Sequence, residues 1–294
     1  MPRFFVDPRQ IEDGVVRIAG EDTNHITRVL RLRPGDRITV LDGTGLEYEV
    51  VISTISEEEV TGRVVGSRQR RTEPRLKVTL VQGLPKADKM ELIIQKCTEI
   101  GVARILPART ERSVVELEGG KAARRLERWR KIAVQAAEQS GRALVPAIGE
   151  VTPLAAVLNS AEFHDAMENG LGLALMPWEG EDSVDLRRAL AGRLLQAPSM
   201  MGQDGQGGGP VGQGDRDVTL AQYSRRPEVA WLFIGPEGGF SAREVEMAHA
   251  AGVNTITLGP RILRTETAGF VALTLLLWEA GELDVDASEK GKST

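Results

Sequence analysis

Near its carboxyl end the chain twice runs a short apolar stretch into a glycine turn and then into a helix. Trp231-Leu232-Phe233-Ile234 leads into Gly235-Pro236-Glu237-Gly238-Gly239-Phe240. Ser241 then opens a helix with Glu244 three residues on, the pattern of a capping box, and Phe240 and Val245 are spaced as a hydrophobic staple. Thr255-Ile256-Thr257-Leu258 leads in the same way into Gly259-Pro260-Arg261-Ile262-Leu263-Arg264-Thr265-Glu266-Thr267-Ala268, the entry to a last helix. Strands that alternate with helices imply a mostly parallel sheet covered on both faces. Ligands of such sheets bind beyond the carboxyl ends of the strands, where glycine lets backbone approach them closely. The two turns therefore set the fold class as α/β and mark a candidate site. A plain tight turn is the competing reading of the first loop taken alone.

Upstream, Leu76 to Val81 and Leu171 to Met176 read as further strands. Met90, Ile93, Ile94, Cys97 and Ile100 recur at helical spacing, with Gly101 as the stop. A second helix is expected from about Lys121 to Gln139, with Leu126, Trp129, Ile132, Ala133 and Ala136 inward. The last, from about Glu266 to Gly281, is apolar almost all round and needs cover on more than one side, so it is central to the fold or packs on a second subunit. Between Val15 and Val65 the short pieces Arg37 to Leu41 and Tyr48 to Ile52, with turns at Pro34-Gly35-Asp36 and Asp42-Gly43, predict a small β-barrel or sandwich. A linker-like run ends it, so two domains are expected, 1–73 and 74–294. The segment 196–217, rich in Gly, Gln, Asp and Pro, reads as a flexible surface insertion.

Charge is distributed unevenly. The 294 residues carry a net charge of -5, which taken whole argues against a polyanionic partner. Residues 76–145, however, hold 14 basic and 8 acidic side chains, whereas 146–294 hold 11 and 21. One basic stripe on an acidic protein fits a polyanion met on a single face, although a solvated helix surface gives similar counts. The single cysteine, Cys97, falls on an apolar stripe and reads as a core residue; it permits neither an internal disulfide nor a multi-thiolate metal site. His25, His164 and His249 are too scattered for a metal set, and no metal is expected. The start lacks the apolar stretch of a signal peptide and no run reaches membrane-span length, so a cytoplasmic protein with no membrane partner is expected. Phosphate-loop, dinucleotide-binding, nucleophile-elbow and zinc-protease motifs are all missing.

Within the second turn Ile262 and Leu263 interrupt a charged loop, which suits either cover for a flat apolar group such as adenine or anchoring in the core. These two turns resemble the cofactor-binding motifs of the RsmE family of 16S rRNA uracil-N3 methyltransferases, of the SPOUT superfamily. Met1-Pro2-Arg3-Phe4-Phe5, His25-Ile26-x-x-Val29-Leu30-Arg31, the run Lys86 to Gly101, Thr110-Glu111-Arg112-Ser113 and Glu138-Gln139-Ser140-x-Arg142 extend the resemblance over nearly the whole chain, except the insertion at 196–217. The resemblance implies a PUA-like β-barrel that binds RNA, followed by a SPOUT-type, mostly parallel sheet with a C-terminal trefoil knot, in a homodimer that acts on ribosomal RNA or the small ribosomal subunit. It implies S-adenosyl-L-methionine as cofactor, held by Met176 and Pro177, by Ile234, Gly235, Pro236, Glu237, Gly238 and Gly239, and by Leu258, Gly259, Arg261, Ile262, Leu263 and Thr267.

Methylation of uracil N3 requires its proton to leave and the resulting anion to be stabilised. Arg264 is the candidate for stabilising that anion. Glu266, near the positive end of the last helix, would orient Arg264 or take the proton through water. Pairing of Arg264 with a phosphate, and a helix-dipole role for Glu266, are the alternatives. Candidate RNA contacts are Arg3, Arg28, Arg31, Arg33, Lys86, Lys89, Lys96, Arg112, Arg130 and Arg142. A SPOUT enzyme for another RNA position, or a non-catalytic ribosome-assembly factor of the same fold, would share these motifs. Binding of S-adenosylmethionine separates the assembly factor from the enzymes.

Overall fold

The computed structural model describes residues 1–113, 120–168, 172–190 and 227–284; the expected insertion at 196–217 lies outside the described residues. The amino-terminal strands are β1 (Arg3–Phe5), β2 (Ile11–Glu12) and β3 (Val15–Ala19), then, after the one-turn helix α1 (Glu21–Asn24), β4 (Arg37–Leu41), β5 (Leu46–Ile55) and β6 (Glu59–Gln69). They form one six-stranded sheet in the order β1-β4-β5-β6-β3-β2, antiparallel except where β1 runs parallel to β4. Along β3 only Val16 and Ile18 are buried, the alternation of a sheet with one wet face. Those two residues share a core with Phe4, Ile26, Ile38, Val40, Val50, Ile52 and Val60.

The rest of the chain comprises β7 (Lys77–Gly83), α2 (Lys89–Ile100), β8 (Arg104–Arg109), α3 (Gly120–Ser140), β9 (Ala147–Ile148), β10 (Thr152–Pro153), α4 (Leu154–Leu158) and α5 (Ala161–Glu168). It continues with β11 (Gly172–Pro177), α6 (Leu186–Leu190), β12 (Val229–Ile234), α7 (Ala242–Ala250), β13 (Asn254–Ile256) and α8 (Thr265–Glu279). All its strand pairs are parallel, in the order β10-β8-β7-β12-β11-β13, with β9 also on β8. Each face of the sheet has its own core. One gathers Leu80, Ile93, Cys97, Trp129, Leu232, Leu273 and Leu277 under α2, α3 and α8, and the other Phe163, Met176, Trp231, Phe233 and Val245 under α4, α5 and α7. This is the doubly covered parallel sheet that the alternating pattern predicts. Gly101 ends α2 at φ 117°, in the left-handed region a side chain avoids. Cys97 is a core residue, and burial pushes its thiol up to about 12.

Strands β8, β9 and β10 carry no clear sequence signal. In β8, Pro107 and the flanking Arg104 and Arg109 disguise a buried run, and β9 and β10 are two residues long. Around α8 the apolar character is only partly absorbed: Leu273, Leu276 and Leu277 are buried, while Leu275 and Trp278 remain 40% and 60% exposed.

The two sheets meet along α3. The Phe5 N–H donates to Glu138 and Arg70 donates to the Gly141 carbonyl. Arg142, expected among the RNA contacts, proves to be structural. Its guanidinium is buried, ion-paired with Glu73 at 2.5 Å, and donates to the Thr98 and Val102 carbonyls at 3.1 and 2.8 Å. The backbone N–H groups of Ala143 and Leu144 complete the shell around Glu73. All three nitrogens of this buried cation are held by protein acceptors, which turns it away from a phosphate, and breaking such a pair costs about 3–5 kcal/mol.

Glu138, also on α3, is pushed up to about 7 by burial, reinforced by the nearby charge of Asp22 and opposed by the Phe5 N–H. The folded state therefore holds this proton more tightly than the unfolded chain does. Its contribution to stability is complete below the ordinary value of 4.5 and is lost as pH rises through about 7. Glu138→Gln is expected to flatten the dependence of the unfolding free energy on pH across that window and to raise stability at pH 8. Chemical denaturation at a series of pH values checks this, and an unchanged slope would refute the assignment.

Candidate active site at the carboxyl edge of the parallel sheet

Three chain segments leave the carboxyl ends of neighbouring strands and close around one cavity of about 920 Å³, within the range of ligand pockets. The first follows β12. Gly235 packs against its own loop so tightly that a Cβ there would lie 3.1 Å from Gly239 backbone, and Gly239 itself has φ +65°. Beyond this turn Ser241 caps α7 through the expected box: its hydroxyl accepts from the Glu244 N–H at 3.2 Å, and Glu244 accepts from the Ser241 N–H at 2.9 Å. The second oxygen of Glu244 accepts from the Glu111 N–H at 2.8 Å, tying the turn to the end of β8.

The second segment follows β13. Gly259 has φ +100°, and the Arg264 carbonyl accepts from the Thr267 and Ala268 N–H groups, both at 2.8 Å, to start α8. The third follows β11 and carries Pro177, Trp178, Glu179, Glu181, Asp182 and Asp185 along the cavity wall. Glu181 organises it by accepting from the Ser183 hydroxyl and from the Ser183, Val184 and Thr255 donors, which hold its carboxyl down at about 2.

Of the residues expected around the cofactor, Pro177, Ile234, Gly235, Pro236, Glu237, Gly239, Leu258, Gly259, Arg261, Ile262 and Leu263 line this cavity. Met176 does not: its side chain is fully buried in the core beneath α7. Gly238 and Thr267 are also off the lining. Gly238 packs on the side chain of Arg112, which donates to the Gly238 carbonyl at 2.7 Å. Ile262 is 84% exposed, so core anchoring does not explain it. Arg264 lines the cavity and forms no side-chain hydrogen bond or ion pair among the described residues.

Lys89, the first residue of α2, enters this cavity and bridges two carboxylates, Glu237 at 3.0 Å and Glu266 at 3.2 Å. Burial pushes the Glu266 carboxyl upward. Its own backbone N–H, the Lys89 ammonium and the Arg264 charge outweigh that and hold it below the ordinary carboxylate value. Glu237 is lowered in the same sense, burial again being outweighed by Lys89 and by backbone donors that include the Lys86 N–H. Both carboxyls are thus anions at neutral pH.

The remaining expected RNA contacts fall into separate groups. Arg28, Arg31 and Arg33 are exposed around the turn before β4, with Arg31 at φ +55°. Lys86 and Arg112 lie beside the first turn, the Lys86 N–H donating to Glu237 and the Arg112 guanidinium to the Gly238 carbonyl, while Lys96 is paired with Glu99 along α2. Arg3 and Arg130 line a cleft between the two sheets.

A family model described as an RNA methyltransferase domain matches residues 72–188 and 212–277, and one described as an RNA methyltransferase PUA domain matches residues 18–65. Ribosomal RNA small subunit methyltransferase E of Bacillus subtilis is 33% identical over 284 residues, covering 95% of this chain and 97% of the relative. The chain belongs to the ribosomal RNA small subunit methyltransferase E family. The Mycobacterium tuberculosis member is 28% identical over 97% of this chain and 95% of its own length. The crystal structure of the Neisseria gonorrhoeae member, bound to S-adenosyl methionine, superposes with a TM-score of 0.73 at 26% identity, covering 95% of this chain and 97% of that one. In this family member the acidic wall after β11 and the siting of Lys89 escape a reading of motifs. The wall had a signal, since four acidic residues follow Pro177-Trp178 at the same edge of the sheet. Lys89 had none, because only the fold turns that end of α2 toward the second turn.

If the Lys89 ammonium is what holds Glu266 ionised, Lys89→Met is expected to raise the pKa of both Glu266 and Glu237. Titration of the labelled side-chain carboxyls by NMR reads this directly; an unmoved Glu266 would assign the shift to its backbone contact alone.

Proposed function

We propose that this protein transfers the methyl group of S-adenosyl-L-methionine to N3 of a uridine in 16S ribosomal RNA, and that it works as a homodimer in the cytoplasm. The observation that carries this reading is a glycine-built cavity at the carboxyl edge of the sheet with an unpaired arginine, Arg264, on its wall. The residues present fit the cofactor. Ile234, Leu258, Ile262 and Leu263 offer apolar cover for adenine, the glycine turns let backbone come close, and the wall of Glu179, Glu181, Asp182 and Asp185 suits a cationic ligand. When bound, S-adenosylmethionine supplies a methyl group already activated by positively charged sulfur.

The protein's own task is then to manage the uracil. Losing the N3 proton spreads negative charge over N3, O2 and O4, and the free Arg264 guanidinium is the group able to meet it as it develops. Glu266 is ionised and therefore able to receive the proton through water, but a carboxylate held below its ordinary pKa is a weak base. Stabilisation of the anion, rather than strong base catalysis, is the larger contribution of these residues. A uridine must also be unstacked before its N3 is reachable, which favours loops and exposed strands. Exposed Arg28, Arg31 and Arg33 in the PUA part, with Lys86 and Arg112 beside the first turn, are the contacts assigned to the RNA backbone.

For the dimer, the support is the uncovered apolar side of α8, where Leu275 and Trp278 are exposed. A second copy seated there would bury that side. The chain runs outward from β12 past β11 to β13 and then returns with α8 onto the side of β7 and β12, a path that suits the C-terminal knot of the SPOUT type. We place the domains at 1–73 and 74–294. Among the described residues no helix is long and apolar enough to cross a membrane.

Arg264→Ala is expected to lower kcat by about 10²–10³-fold while the Kd for S-adenosylmethionine, measured by calorimetry, changes by less than about tenfold. Equal loss of both would move Arg264 into the cofactor pocket. Mass mapping of the methylated nucleotide decides the position, and a methyl group found elsewhere would overturn the uracil-N3 assignment. Replacing Arg28, Arg31 or Arg33 by Ala should each weaken RNA binding and reduce the slope of log K against log salt by about 1; unchanged slopes would remove the PUA part from the RNA interface.

A further inference from the structure

Gln82 is a fully buried amide at the end of the central strand β7, in register with Ile234 on β12. Burying an amide is unfavourable unless its hydrogen bonds are made. Its donor side is satisfied, Nε2 donating to the Gly83 carbonyl at 3.0 Å and to the Thr265 hydroxyl at 3.0 Å, while its Oε1 is buried with no hydrogen-bond partner among the described residues. Thr265, 5% exposed, donates in turn to the Gly235 carbonyl at 2.6 Å. Carbonyl oxygens only accept, so this fixes the direction of the relay: Gln82 amide to Thr265 hydroxyl to Gly235 carbonyl. The surroundings are shaped to admit it. A Cβ on Gly83 would come within 2.7 Å of the Pro236 nitrogen, and one on Gly269 would come to 3.4 Å from the Gln82 Oε1.

The relay joins the two turns that face each other across the cavity. Gly235 opens the first, and Thr265 immediately follows Arg264 at the start of α8. Both are tied to β7, a third element with no residue of its own in the cavity lining. We propose that Gln82 and Thr265 are positioning residues for the methyl transfer, fixing the backbone of Arg264 relative to the Gly235 turn. This rests on the assignment of Arg264 to the reaction. Neither side chain is required to touch the substrate; both act through where they hold Arg264.

The test compares Thr265→Val, Gln82→Leu, the double variant and Thr265→Ser in the full-length protein. Cofactor Kd is measured by calorimetry and kcat on small-subunit particles that lack the modification. A misplacement of about 1 Å lowers a rate by about 10²-fold, so Thr265→Val and Gln82→Leu are each expected to lose about 10–100-fold in kcat with a smaller change in cofactor Kd. Thr265→Ser, which keeps the hydroxyl, retains kcat. The double variant loses no more than the worse single one, because either change already breaks the relay. It also removes both polar partners together, so it keeps the measurement possible if a single variant folds poorly. Wild-type kcat in both Thr265→Val and Gln82→Leu, a Thr265→Ser variant as slow as the valine one, or losses that add in the double variant would each overturn the proposal. Unmodified protein that fails to bind S-adenosylmethionine would overturn the functional reading instead.

Discussion

A parallel sheet sends all its strands out at one edge, and the site exists because three of those exits are held within reach of one another. β11, β12 and β13 are adjacent in the sheet, so the segments that follow them converge without any long loop. Strand pairing alone leaves the segments beyond it free to move apart. The hydrogen bond from Thr265 to the Gly235 carbonyl, backed by Gln82, closes that freedom on one side. On the other side, Thr257 and Trp178 pair through backbone with Val184 and Ile256. The cavity is thus defined by backbone pinned at its edges, and its glycines are those that such close approach requires.

How much of this could be read from sequence follows from the range of the interactions involved. Local signals are reliable here: the Ser241–Glu244 box, the stop at Gly101 and the buried face of α2 all involve residues a few positions apart. The parallel sheet was legible from alternation, and the two glycine turns from their place after apolar strands. Long-range pairings were not. Arg142 and Glu73 lie 69 positions apart, and nothing local distinguishes a buried arginine from one facing solvent. The basic stripe counted along the chain accordingly disperses in space, with Arg142 in the interior, Lys89 in the cavity and Lys96 tied to Glu99. The resemblance supplied what periodicity does not contain, namely the cofactor and the base.

The placement of charge also resolves the conflict between an acidic protein and an RNA substrate. Net charge averages over surfaces that never meet the same ligand, and part of the acidic charge of the carboxyl-terminal part is spent inside the cavity. Glu179, Glu181, Asp182 and Asp185 line the cavity together with Arg261 and Arg264. On the proposed reading the two reactants differ in charge: the methyl donor is cationic at sulfur, and the acceptor becomes anionic as it loses its proton. A cavity lined by both acidic and basic side chains offers a countercharge to each. Lys89 stands among these groups. Its ammonium pairs with both Glu237 and Glu266, so each of these carboxylates has a cationic partner other than Arg264. Arg264 makes no ion pair among the described residues, and on the proposed reading that leaves it available to a nucleobase.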